Sequence, residues 1–238
     1  ATPTVSSGHS TISIYPALAS TPADNAILTF IGRSQTGGSK ARFQNFNFDG
    51  IERVVMVDGS NYPITWNTNE PVNIIDGSTD VEGAEVVSQF HNHLLFAKGS
   101  LLSFTAPFAQ NDFNTGNGAG SVRLQSRITG LVTFRDKLII FTNSSIHQLT
   151  GTSAASFQLQ EIAEDIGCSE PDTIQEVGGD IMFMGPDGLR FLGATTRIGD
   201  FNLSLASRNI QDQVTQFRTD YTDIVSLTIR GKSQYRIM

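Results

Sequence analysis

A single cysteine, Cys168, stands among 238 residues. That count excludes an intrachain disulfide and a thiolate-rich metal cluster. Its surroundings, AEDIGCSEP, place no base beside it, so the thiol reads as buried filler rather than a nucleophile. Charge is also scarce, at 16% of residues, and its formal sum is −7. A protein that reads DNA sequence needs cationic surface to neutralise phosphates, and this balance argues against one. It leaves open a wall past which DNA slides, where repulsion would help. No apolar run approaches the ~20 residues of a membrane helix, so no membrane span is expected. The first residues, ATPTVSSGHS, lack the charged and apolar regions of a signal peptide. The chain starts without Met and stops at YRIM inside an apparent strand, as a processed or partial chain would.

What the chain does have is Phe, 16 copies against one Trp and four Tyr, and 22 Gly among many Ser, Thr and Asn. With 39% hydrophobic residues it reads as globular and turn-rich. Five segments share one design of apolar residues, a short turn and a second strand. They are RVVMVDGSNYPIT from Arg53, HLLFAKGSLLSFT from His93, KLIIFTNSSIHQL from Lys137, DIMFMGPDGLRFL from Asp180 and a looser DIVSLTIRGKSQYRI from Asp223. Their starts lie 40, 44, 43 and 43 residues apart. The turns carry Asp58-Gly59, Lys98-Gly99, Asn143-Ser144, Asp187-Gly188 and Arg230-Gly231, and Gly and Asn tolerate the positive φ that tight hairpins need. Each segment is therefore expected to be a β-hairpin. First strands such as Leu94-Leu95-Phe96-Ala97 and Leu138-Ile139-Ile140-Phe141 are too continuously apolar to be half-exposed, so both of their faces are expected to be covered.

Each hairpin has a β-rich lead-in, with strands expected at 85–90, 128–134 and 173–177. A hairpin plus a lead-in every forty-odd residues is the signature of propeller blades, whose inner strands pack on neighbours while outer strands meet water. The expected fold class is all-β, a β-propeller-like array of roughly five or more blades with one short inserted helix. That helix is placed at Ser204–Phe217, where Ile210, Val214 and Phe217 recur at helical spacing. The expected organisation is an extended N-terminal arm over 1–25 and a propeller-like domain over 26–238, in which Ala26–Ile31 adds a strand. The polar stretches Phe108–Ser121 and Gly32–Phe43 are expected to be surface loops that contact neighbours.

Catalytic motifs are weighed against this repeat. His91-Asn92-His93 spells the letters of a nuclease motif, and two His on one strand face could start a metal site. Yet His93 occupies the repeat position of Arg53, Lys137, Asp180 and Asp223, so it is expected at a solvated strand edge. Asp76–Asp80 and Asn111–Gly116 are oxygen-rich turns that lack the twelve-residue calcium pattern. Gly116–Gly120 resembles a phosphate cradle without the flanking strand and helix. No pair of acids stands out as glycosidase carboxylates. No catalytic, cofactor-binding or metal-ligating residue is assigned, no cofactor is expected, and the chain is expected not to be an enzyme.

The succession VVSQFHNHLLFAKGSLLSFTAPFAQNDFN, ITGLVTFRDKLIIFTNSSIHQLTG and FQLQEIAEDIGCSEPDTIQEVGGDIMFMGPDGLRFL, from about Val86 to Leu192, resembles the propeller region of bacteriophage tail nozzle proteins, the tail-tube accessory proteins of short-tailed phages. Family proteins are usually much longer than this chain. The resemblance implies a virion structural protein of the phage tail. Copies of it, six by analogy, form a homo-oligomeric ring below the portal, with other tail or portal proteins as partners. DNA passes through the channel during ejection without sequence-specific binding. Two other readings fit a propeller: a protein-interaction module outside any virion, and an enzyme acting on glycans at the central channel.

Overall fold

The structure is a computed structural model that describes residues 4–6, 9–11, 40–68, 72–193, 206–221, 223–232 and 234–238. The chain divides into two compact units, Ala1–Ser34 and Gln35–Met238. In the first unit, within the stretch read as an extended arm, β1 (Thr4–Ser6) and β2 (His9–Thr11) pair antiparallel. The strand expected at Ala26–Ile31 lies outside the described residues.

The second unit is mostly β, built from antiparallel sheets that follow one another along the chain. Sheet 1 comprises β3 (Arg42–Phe48), β4 (Ile51–Val57), β5 (Ile64–Trp66) and β6 (Asn73–Ile74). Sheet 2 comprises β7 (Val86–Phe90), β8 (His93–Lys98), β9 (Leu101–Phe104) and β10 (Gly120–Arg123). Sheet 3 comprises β11 (Ile128–Phe134), β12 (Lys137–Thr142), β13 (Ile146–Thr150) and β14 (Gln158–Ala163). Sheet 4 has three described strands, β15 (Glu170–Val177), β16 (Asp180–Gly185) and β17 (Gly188–Phe191). Sheet 5 has two, β18 (Ser226–Ile229) and β19 (Gln234–Ile237). Every sheet is an up-and-down meander: short turns close the hairpins, while longer loops, residues 105–119 between β9 and β10 among them, return the chain for the outermost strand.

The period-two alternation of side chains explains how these sheets pack. In β8, Leu94 and Phe96 face Val55 and Val57 of sheet 1, while Leu95 and Ala97 face Leu138 and Ile140 of sheet 3. In β12, Ile139 and Phe141 turn the other way, onto Ile181 and Phe183 of sheet 4. The continuous apolar runs are thus covered on both faces, as their composition dictates. Burying such a side chain stabilises by about 1.5–3 kcal/mol, so one strand serves two cores.

The lead-in strands occur at Val86–Phe90, Ile128–Phe134 and Glu170–Val177, close to the expected ranges. Their backbones lie closest from sheet to sheet: β3 lies beside β7, β7 beside β11, β11 beside β15 and β15 beside β18. In the first four hairpins the apolar strand is second in its sheet, directly after the lead-in. The fifth hairpin is out of phase. Its strands β18 and β19 are the first and second of a sheet, whereas the other four hairpins supply second and third strands. The lead-in of sheet 1, β3, includes Arg42 and Phe43, which had been assigned to a loop; the rest of that loop up to Ser39 lies outside the described residues.

The helix is shifted towards the C-terminus. A 3-10 turn at Arg208–Ile210 leads into α1 (Gln211–Asp220), while Ser204 and Leu205 lie outside the described residues. Only Val214 of the expected apolar face is buried, against Met184 and Leu189. Ile210 is exposed. Gln211 Nε2 donates to the Asp187 carbonyl and Arg218 Nη1 to that of Pro186, so the helix seals the turn between β16 and β17.

Candidate functional site: the cleft along the leading strands

The first strands of sheets 1 to 4 line one cleft of about 420 Å³, walled by Arg42, Phe43, Val87, Leu131, Asp172 and Ile174 among others. At Gly130 a Cβ would sit 2.3 Å from Ile174 Cδ1, so a larger residue there would push the end of the Ile174 side chain aside. Arg42 Nη2 reaches Asp172 Oδ1 at 3.2 Å across 130 residues of sequence, and Lys40 Nζ binds Asp172 Oδ2 at 2.6 Å. One carboxylate therefore ties the first leading strand to the fourth.

Side chains also stitch neighbouring leading strands together. Arg42 Nη1 donates to the Glu85 carbonyl at 3.2 Å, and Arg127 Nη2 holds Glu85 Oε2 at 2.7 Å. Thr133 Oγ1 donates to the Gln89 carbonyl at 2.6 Å, and Ser226 Oγ to that of Asp172 at 3.2 Å. Glu170, at the start of β15, is held above the usual carboxylate range, first by burial. Asp172 and Asp223 add to that shift, while Arg218 and Lys40 oppose it.

The residues singled out by their letters are used differently than their spacing suggested. His93 is 1% exposed, which corrects the expectation of a solvated strand edge. Its Nδ1–H donates to the Thr105 carbonyl at 2.7 Å, and its ring meets Phe104 and Phe157 edge-on. His91 does not share its strand. It sits in the turn before β8, exposed, at φ 49°. Among the described residues, no group of three or more His, Cys, Asp or Glu converges as metal ligands would.

The oxygen-rich turns bind their own backbone. Asp112 Oδ1 accepts from Asn114 N–H at 2.9 Å, and Asn114 Oδ1 from Gly116 N–H at 2.9 Å. The Gly118 and Ala119 amides donate to Thr115 and Asn114 carbonyls, which leaves the supposed phosphate cradle without outward N–H groups at those positions. The Phe108–Ser121 loop reaches back to sheet 1. Arg53 Nη1 donates to Gln110 Oε1, and the Asp76 N–H donates to Asn111 Oδ1 at 3.1 Å. These contacts fall within the chain.

One arrangement escaped sequence reasoning because it spans a turn. Ser145 Oγ lies 2.9 Å from both His147 Nε2 and Thr142 Oγ1, with Glu161 paired opposite His147. Burial lowers the His147 pKa, with Glu161 opposing, so a neutral imidazole faces the hydroxyl. However, the Ser144 and Ser145 N–H groups both donate to Thr142 Oγ1. The donors beside the hydroxyl that would hold a developing oxyanion are thereby spent on closing the β12–β13 turn. Cys168 is fully buried, and burial pushes its thiol to about 12. No protein-family model and no curated protein matches the chain.

Proposed function

We propose that this chain is a non-enzymatic structural protein of a phage tail, a propeller-like block in a ring around the DNA-ejection channel. The observation that carries this reading is the convergence of four leading strands on one cleft, where Arg42 bonds the Asp172 carboxylate and the Glu85 carbonyl. Such a cleft braces a scaffold. Sheets recurring in chain order, each packed on the next and joined along one edge, support blades arranged about an axis, roughly five or more of them. The stretch that resembles tail nozzle proteins, Val86 to Leu192, coincides with sheets 2 to 4. The formal charge of −7 fits a surface that lets DNA pass, since a cationic wall would retain it through counterion release.

In this reading the chain resides in the virion, as a homo-oligomer of six copies that touches portal or other tail proteins. Negative-stain imaging of the purified protein tests it. Rings of one stoichiometry, wide enough for a duplex, are expected, and a uniformly monomeric sample at high concentration would overturn the reading.

A further inference from the structure

We infer that sheet 1 of one copy packs on sheet 5 of a second copy, head to tail. This rests on the ring reading above and gives the ring its interface. Among the described residues, sheets 2 and 3 are covered on both faces by other sheets of this chain, whereas sheets 1 and 5, at the two ends of the row, each have one face so covered.

The other face of sheet 1 is apolar at one end. The strand register sets Phe43, Met56, Ile64 and Ile74 in one row across four strands, with Asn45, Val54 and Trp66 in the next. Phe43 is 59% exposed and meets the Trp66 ring edge-on at 6.3 Å, and neighbouring Val72 is 53% exposed. An aromatic platform of this kind at a sheet end has the chemistry of an interface core.

The other face of sheet 5 has matching chemistry. Tyr235 and Ile237 point inward, with Tyr235 Oη donating to the Thr173 carbonyl at 2.8 Å. Alternation then turns Leu227 and Ile229 outward, and Leu227 is 37% exposed. Charge complements the apolar patches. Arg230, Lys232 and Arg236 gather at sheet 5, whereas Asp49 and Glu52 flank the open face of sheet 1. The two faces differ from each other, so contact between copies is heterologous, and repetition of one heterologous contact closes a ring when its rotation permits. The packing extends between copies the pattern used within the chain, an apolar sheet face laid on the next.

The test is native mass measurement of the wild-type protein, Phe43→Asp, Leu227→Asp and an equimolar mixture of the two variants. Both side chains are exposed, so each variant should keep the circular dichroism of the wild type. The milder Phe43→Ser and Leu227→Ser stand in if either misfolds. Wild type is expected to assemble, and each variant alone to associate roughly tenfold or more weakly. The mixture is expected to form dimers, because one intact pair of faces remains. Variants that assemble like wild type would overturn this interface while leaving the ring reading standing. A mixture that stays monomeric would overturn the head-to-tail geometry. A wild type that never assembles would remove both.

Discussion

Cys168 and Gly167 sit where the chain passes closest to the β12–β13 turn. A Cβ on Gly167 would meet the Asn143 and Thr142 carbonyls at 2.2–2.3 Å, and those atoms are backbone and cannot step aside. Gly167→Ala is therefore expected to cost about 1–3 kcal/mol, read as a lowered urea midpoint. The Cys168 thiol, pushed to about 12 from an ordinary 9.0, favours the folded state as long as it stays protonated. Its stabilising effect is complete below pH 9 and is lost as pH rises from there towards 12. Cys168→Ala should flatten that alkaline decline in a stability–pH series, and a thiol reagent should label the wild type only after unfolding. The burial of Cys168 was legible from its lack of a basic neighbour. That of His93 was not, because a polar letter at a repeat position says nothing of the Thr105 carbonyl and Phe157 ring that enclose it. The Arg42–Asp172 pair was equally hidden, since sequence carries no distance between residues 130 positions apart.

Strands were readable wherever they were apolar. β8, β12 and β16 are continuous hydrophobic runs between turn residues, and at six residues each they are of strand rather than helix length. β3 and β10 were missed, although RFQNFNF alternates at Phe46 and Phe48. They adjoin Gly- and Asn-rich segments that mask a half-polar strand. The phase of the fifth hairpin was misread for a related reason: an insertion holding α1 restores the apparent period by coincidence of length. Helix α1 was found by spacing, but its docking depends on Val214 alone among the three residues of that face. Val214→Asp would place a carboxylate against Met184 and Leu189. It is expected to free the helix at a cost of about 2–3 kcal/mol. Hydrogen exchange should then rise in residues 206–220 and leave sheets 1 to 3 protected.

The row of sheets reads largely from its periodicity, whereas the strands along which neighbouring sheets adjoin do not. Those are the polar lead-ins, which carry the weaker hydrophobic signal. The side-chain bonds along those lead-ins are modest singly. Arg42 and Asp172 keep about a quarter of their side-chain surface in water, at 25% and 29%, so Arg42→Ala is expected to cost about 0.2–1 kcal/mol in low salt. That cost should shrink at 1 M salt, where screening shortens to about 3 Å. Denaturation curves at both ionic strengths check the pair. The clasp has a mechanical meaning beyond its free energy. A stack whose layers grip only their neighbours peels from an end, one layer at a time, under tension. Fastening the first layer to the fourth turns the stack into a buckled strap, so that the first layer cannot be unrolled before the buckle at Asp172 gives way.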